Sequence, residues 1–84
     1  MHIMIVLKNI IKKGNIISAD VHPNGSDEIR PIEINLQTKE VIIPKGGPNC
    51  SYTYHAKINL LRLCDYLERK LIFELPTEKT VYWY

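Results

Sequence analysis

Cys50 and His55 are the two side chains of this sequence whose types and spacing come closest to a catalytic pair. A cysteine at the start of a helix has a lowered pKa, and a histidine one turn later can act as its general base. Five positions along a helix correspond to about 500° of rotation, so these two side chains would point about 140° apart. A small enzyme that uses Cys50 and His55 is therefore an alternative, while the spacing favours a protein without catalytic activity.

A metal site would require three or four ligands to converge from a strand and from the start of a helix: Cys50, His55 and His22, with Asp20 as the fourth. Structural zinc sites usually contain paired cysteines or histidines about two to five positions apart, and the sequence does not contain two such pairs. We therefore predict neither a metal nor another cofactor.

A glycine-containing segment, Lys45-Gly46-Gly47, lies directly before the region that we predict to be helical. Backbone N–H groups at helix N-termini bind phosphate and other anions. The segment does not match the GxxxxGK[ST] phosphate loop, and Pro48 removes one donor. Ordinary connections between a strand and a helix use the same residue types. Anion binding at Lys45, Gly46 and Gly47 is therefore an alternative function.

Aromatic residues are concentrated near the start of the predicted helix and at the end of the sequence. Tyrosines usually complete a core and turn their hydroxyl groups towards water, so core packing is the simpler interpretation. As a binding patch they fit a protein partner better than a nucleic acid, because no basic stripe alternates with them and the net charge is only +2. A nucleic-acid-binding module remains an alternative. The candidate patch consists of Tyr52, Tyr54, His55, Tyr82, Trp83 and Tyr84.

The segment from Ser51 to Leu71 is the only one whose apolar residues recur at helical spacing for several turns. Charged residues fall between them, so one face of the predicted helix is apolar and the other is charged. Such a helix has to bury its apolar face, and the β-type sequence before it provides the natural cover. The apolar positions are Ala56, Leu60, Leu63, Cys64, Leu67 and Leu71.

Alternating apolar residues and turn-forming segments predict strands on both sides of this helix. Gly14 tolerates positive φ between the first two strands, Pro31 indicates a sheet edge or a bulge, and Lys39 occupies a turn position where glycine would be easier. The predicted strands are Ile3–Ile11, Ile16–His22, Ile32–Leu36, Val41–Ile43 and an aromatic C-terminal strand over Thr80–Tyr84. We therefore predict an α+β fold, an antiparallel meander of four to five strands with one helix packed on one face. The predicted core includes Ile17, Ala19, Val21, Ile34, Leu60, Leu63 and Leu67.

The 84 residues are predicted to form a single α+β domain over positions 1–84. A composition of 45% hydrophobic and 24% charged residues excludes a disordered or fibrous chain. Cys50 and Cys64 would lie about 20 Å apart on one helix, which is too far for a disulfide. Free thiols and the lack of a secretion signal predict a cytoplasmic location, and the apolar N-terminal segment is too short to span a membrane.

Three segments, Ile17–Asp20, Gly25–Glu28 and Glu74–Tyr84, resemble a group of small bacterial proteins of unassigned activity with an ELPxEKTVxWY-like C-terminus. The resemblance covers most of the sequence. It implies a bacterial cytoplasmic origin and assigns no catalytic or binding residue.

The first predicted strand is apolar on both faces, and a helix can cover only one of them. The second face would form an exposed apolar patch, which a twofold dimer commonly covers. We therefore predict a small interaction or regulatory protein that forms a homodimer or binds another protein, without membrane contact. Simple alternation places Met4, Val6 and Ile10 on one face and Ile3, Ile5, Leu7 and Ile11 on the other.

Overall fold

The computed structural model describes residues 3–46 and 50–83, which contain five strands and one helix. The elements are β1 (Ile3–Lys13), β2 (Ile16–Pro23), β3 (Arg30–Asn35), β4 (Glu40–Ile43), α1 (Ser51–Glu68) and β5 (Glu78–Trp83). The strands form one antiparallel sheet in the order β4-β3-β2-β1-β5, so β5 returns after the helix to pair with the free edge of β1. α1 packs on one face of this sheet. The predicted α+β class and strand arrangement are confirmed.

Two tight turns each contain a residue with positive φ. Gly14 has φ +58° in the two-residue turn that joins Lys13 to Ile16. Lys39 has φ +63° at the end of the turn before β4, where the Asn35 side-chain oxygen accepts hydrogen bonds from the backbone N–H of Gln37 and Thr38. Glycine is therefore easier at position 39, as the sequence indicates.

The core lies between the helix and the sheet face that α1 covers, and strand alternation determines which residues enter it. Six of the seven predicted core residues are buried, and the exception is Leu67, which is half-buried in the last turn of α1. The buried hydrophobic residues of the described ranges are Ile5, Leu7, Ile10, Ile17, Ala19, Val21, Ile32, Ile34, Ala56, Leu60, Leu63 and Val81.

A β-bulge at Asn9 corrects the predicted faces of β1. Lys8 pairs with Asp20 and Ile11 pairs with Ser18, so Asn9 and the next residue together oppose a single residue of β2. Asn9 has φ +54°, a conformation that asparagine tolerates better than most residues. Beyond the bulge the alternation is reversed: Ile10 is buried on the helix side, at 5% exposure, and Ile11 is 47% exposed on the other face. The predicted placement of both isoleucines was wrong.

The second apolar face of β1 is partly covered by the loop after β2. A Cβ atom at Gly25 would lie 3.6 Å from Met4 Cε and 3.9 Å from Val6 Cγ2. The backbone N–H of Asn24 also donates to the carbonyl oxygen of Met4, at 2.8 Å. Met4 and Val6 are consequently half-buried rather than exposed.

The helix ends at Glu68, three positions before the predicted Leu71. Lys70 takes φ +61°, its N–H donates to the Leu67 carbonyl at 3.1 Å, and the Leu71 N–H donates to the Tyr66 carbonyl at 2.8 Å. This pair of hydrogen bonds is the Schellman arrangement that closes many helices. Leu71 therefore leaves the apolar stripe and is 64% exposed.

Candidate functional site

Three aromatic side chains from α1 and β5 form a contiguous cluster. The imidazole of His55 stacks on the indole of Trp83, with ring centroids 4.0 Å apart and an interplanar angle of 19°. Tyr52, one helical turn earlier, meets the Trp83 indole edge to face, with centroids 6.0 Å apart. The cluster connects the start of the helix to the C-terminal edge strand of the sheet.

The predicted aromatic patch is divided between two faces of the sheet. Tyr54 is 52% exposed and contacts the edge of His55, with centroids 5.4 Å apart. Trp83 pairs with Ile3 on the helix side, whereas Tyr82 alternates to the opposite face and is 64% exposed. Tyr84 lies outside the described residues. The structure thus brings together Tyr52, Tyr54, His55 and Trp83 and separates Tyr82 from them.

A cavity of about 430 Å³ lies between the start of α1, the start of β3 and the end of β4, and we name it the N-end groove. Its wall is largely apolar, and two of its isoleucines, Ile29 and Ile43, are 57% and 38% exposed. The lining residues are Val21, Ile29, Arg30, Pro31, Ile32, Ile43, Pro44, Cys50, Tyr52 and Thr53.

Tyr52 connects the N-end groove to the aromatic cluster, because its ring takes part in both. The guanidinium carbon of Arg30 lies 5.7 Å from the centroid of that ring, within cation–π range. The side-chain amide of Asn24 donates to the Tyr52 hydroxyl at 3.3 Å. Arg30 also forms an ion pair with Glu28 at 3.2 Å. Among the described residues that line the groove, Arg30 supplies a positive group, which is paired with Glu28 beside a largely apolar wall.

Cys50 occupies the N-cap position of α1. Ser51 is the first helical residue, and Asn49 lies outside the described residues. The Cys50 sulfur lies 3.3 Å from the Thr53 hydroxyl. That hydroxyl, followed by the Thr53 backbone N–H, lowers the pKa of the Cys50 thiol from its ordinary value. The hydrogen-bond partner of Cys50 is thus Thr53, while His55 is engaged with Trp83.

The other candidate residues are placed apart from this cluster. Lys45 and Gly46 are exposed in the connection after β4, and Gly47 lies outside the described residues. His22 Nδ1 lies 2.9 Å from the Ser26 carbonyl oxygen, and the Asn9 amide donates to Asp20 at 2.9 Å. Among residues 3–46 and 50–83, no group of three or more His, Cys, Asp or Glu side chains could hold a metal ion.

Sequence reasoning missed the apolar rim of the N-end groove. Ile29 follows the polar segment Asn24–Glu28, which turn-forming residues identify as a loop. A single isoleucine at the end of such a loop was the available signal, and its 57% exposure shows that it does not serve the core. Arg30 and Pro44 were likewise not singled out, because nothing local indicates which cavity they border.

Comparison of the chain with protein-family models, with curated proteins and with solved structures gives no significant match. The resemblance to small bacterial proteins therefore stays a prediction. Across the two described ranges, no helix combines the length and the apolar character needed to cross a bilayer.

Proposed function

We propose that this protein is a non-enzymatic interaction module that binds an extended apolar segment of a protein partner in the N-end groove. The observation that carries the proposal is the exposure of Ile29 and Ile43 at an apolar cavity. Large exposed apolar side chains around a concave surface are typical of sites for partners. Arg30 and Tyr52 at the same groove belong to the residue types that contribute most to protein interfaces.

The open edge of the sheet next to the groove favours a partner segment in an extended conformation. β4 pairs with β3 only at Glu33, Ile34 and Asn35. Among the described residues, the first half of β3 therefore has a strand on one side only, and the N-end groove lies beside this half. An open edge accepts an added strand whose alternate side chains enter a neighbouring pocket. Pro31 in this half lacks an N–H donor, so the added strand would make few backbone hydrogen bonds there.

The contacts of the titratable groups support binding rather than chemistry. Acid–base catalysis requires a titratable group within hydrogen-bond reach of the proton that it transfers. At this groove the Cys50 thiol contacts Thr53, and the Arg30 guanidinium faces Tyr52 and Glu28. We also propose a cytoplasmic location and a regulatory role. Free thiols at Cys50 and Cys64 favour the location, and a regulatory role suits a small module that only binds.

Peptide selection tests this function directly. Heptapeptides selected from a random phage library against the protein should carry apolar residues at alternate positions. Their binding should shift the backbone amide signals of Ile29, Ile32, Ile43 and Thr53 in NMR spectra. We expect Ile29→Glu to weaken the selected peptides by about tenfold or more, because it places a charge at the apolar rim.

Phe73→Glu is the matched control, because Phe73 is 91% exposed and does not line the groove. It should leave peptide affinity unchanged. The proposal is overturned if no peptide is enriched, or if Ile29→Glu and Phe73→Glu bind the selected peptides equally well.

Self-association is a second candidate, and Tyr82 favours it. Tyr82 is 64% exposed on the face opposite α1, where it pairs across the ladder with half-buried Met4. A second copy of the chain would cover both residues through the same patch. Sedimentation equilibrium should then show a concentration-dependent mass above the 9.8 kDa of one chain, and Tyr82→Lys should abolish it. A strictly monomeric wild-type protein at high concentration excludes the homodimer and leaves the partner segment.

A further inference from the structure

A second and larger cavity lies at the other end of α1, and the interaction proposed above does not use it. It has a volume of about 660 Å³ and lies between the C-terminal half of the helix, the β1–β2 turn and the β3–β4 turn. We name it the C-end groove. Half-buried Leu36, Leu61 and Cys64 form its apolar floor and pack against the core. The volume is in the range of sites that hold ligands larger than a single amino acid.

Charges of opposite sign border this groove on its two sides. Lys12 and Lys39 belong to the strand and turn side, whereas Asp65 and Glu68 belong to the helix. Asp65 forms an ion pair with Arg69 at 3.3 Å. The ion pairs found in the described residues do not include Lys12, Lys39 or Glu68. Two ammonium groups and at least one free carboxylate therefore remain to meet a ligand.

Lys12 projects towards the floor of the groove. Its partner across the ladder is buried Ile17, so it lies on the face that α1 covers. Burial raises the pKa of the Cys64 thiol, and the positive charge of Lys12 partly opposes this. Lys12 thus lines the groove from the sheet face on which the apolar floor also lies.

Lys39 borders the groove in a conformation that a lysine adopts at a cost. Its φ of +63° lies in the left-handed region, which is strained for a residue with a Cβ atom and free for glycine. The side chain of Lys39 is exposed, so it is not part of the core. Glycine at this position would lack the ammonium group that borders the groove.

We propose that the C-end groove binds a short apolar peptide with free ends. The peptide carboxylate faces Lys12 and Lys39, its ammonium group faces Glu68 and Asp65, and its apolar side chains cover Leu36, Leu61 and Cys64. A lone anion or cation would meet a repelling side of the groove, whereas a zwitterion is attracted by both. The two charged ends of such a peptide are separated by its apolar side chains. The groove has the matching arrangement, with lysines on one side, an apolar floor in the middle and carboxylates on the other side.

Trileucine is the probe, and NMR titration of the ¹⁵N-labelled protein is the measurement. We expect saturable shifts of the backbone amides of Leu36, Lys39, Cys64 and Glu68 at millimolar peptide. N-acetylation of trileucine or amidation of its C-terminus should each weaken binding by about fivefold, because each removes one charged contact at a solvent-exposed rim.

Lys39→Gly is the decisive variant, because it removes the ammonium group and relieves backbone strain, so weaker binding cannot be attributed to a destabilised fold. We expect about fivefold weaker trileucine binding, and a similar loss for Glu68→Gln. Lys70→Gly is the control, because it makes the same change at φ +61° outside the groove, and it should bind trileucine like the wild type. The inference is overturned if trileucine causes no saturable shifts, if doubly blocked trileucine binds equally well, or if Lys39→Gly binds like Lys70→Gly.

Discussion

The imidazole of His55 lies parallel to the indole of Trp83, with their ring centroids 4.0 Å apart. This contact joins the second turn of α1 to the last described residue of β5. Within the described residues, β5 is an edge strand with β1 as its one strand neighbour, so side-chain contacts with the helix contribute to holding it in place. The contact between His55 and Trp83 thus helps to hold β5 against the start of α1.

We expect Trp83→Ala to lower the free energy of unfolding by about 2 kcal/mol, because it removes a half-buried indole and its stacking contact with His55. Chemical denaturation of the wild type and the variant measures this difference. Tyr82→Ala, on the exposed opposite face, should change the free energy by about 0.5 kcal/mol or less.

A double-mutant cycle isolates the stack itself. The combined variant with His55→Ala and Trp83→Ala should be less destabilised than the sum of the single variants, by about 1 kcal/mol. Additive effects would mean that the parallel rings contribute no specific interaction.

Leu63 and Leu71 provide a matched test of where the helical stripe ends. Leu63 is 5% exposed in the core, and Leu71 is 64% exposed beyond the Schellman closure. We expect Leu63→Ala to cost about 2 to 5 kcal/mol of unfolding free energy and Leu71→Ala to cost about 0.5 kcal/mol or less. Thermal unfolding followed by circular dichroism is sufficient, and equal melting temperatures for the two variants would contradict this assignment.

The periodicities of the sequence predict most of the fold, because they record which side of each element faces the core. Ile17, Ala19 and Val21 alternate with polar residues, and Leu60 and Leu63 recur at helical spacing, so both elements follow from burial alone. The β-bulge at Asn9 breaks this alternation, because one extra residue moves every later side chain of β1 to the opposite face of the sheet. The sequence does not distinguish an asparagine that adopts positive φ from one that does not, so the bulge at Asn9 was not predictable.

The candidate site was less predictable, because it depends on contacts between distant segments. The sequence groups Tyr82 with Trp83, yet alternation along β5 places the two rings on opposite faces. The N-end groove depends on how β4 ends relative to β3, which no local pattern encodes. Ile29 and Arg30 acquire their significance only through that arrangement.

Two exposed lysines have backbone conformations in the left-handed region, so replacing each with glycine tests backbone strain without removing a buried side chain. Lys39 and Lys70 have φ values of +63° and +61° and are both exposed. Replacing either with glycine should raise the free energy of unfolding by about 0.5 to 1 kcal/mol, since relief of strain exceeds the added entropy of the unfolded chain. Lys57→Gly, within α1, should instead lower it by about 1 kcal/mol. Urea titrations compare the three, and destabilisation by Lys39→Gly would contradict the strain argument.

The two thiols should differ in their response to pH. Alkylation requires the thiolate, so a lowered pKa moves the rise in rate to lower pH and a raised pKa moves it to higher pH. Thr53 lowers the pKa of Cys50, and burial raises that of Cys64. Iodoacetamide labelling of the single-cysteine variants Cys64→Ser and Cys50→Ser should therefore give profiles on opposite sides of that of a free thiol.

The cause of the lowered pKa at Cys50 distinguishes an N-cap thiol that Thr53 stabilises from the Cys–His pair of the enzyme alternative. If the Thr53 hydroxyl stabilises the thiolate, Thr53→Val moves the alkylation profile towards higher pH, but only partly, because the backbone N–H of residue 53 still contributes. His55→Ala should leave the profile unchanged, because His55 stacks on Trp83 and the Cys50 sulfur contacts Thr53. A shift of the profile by His55→Ala, with none by Thr53→Val, would instead support the Cys–His pair of the enzyme alternative.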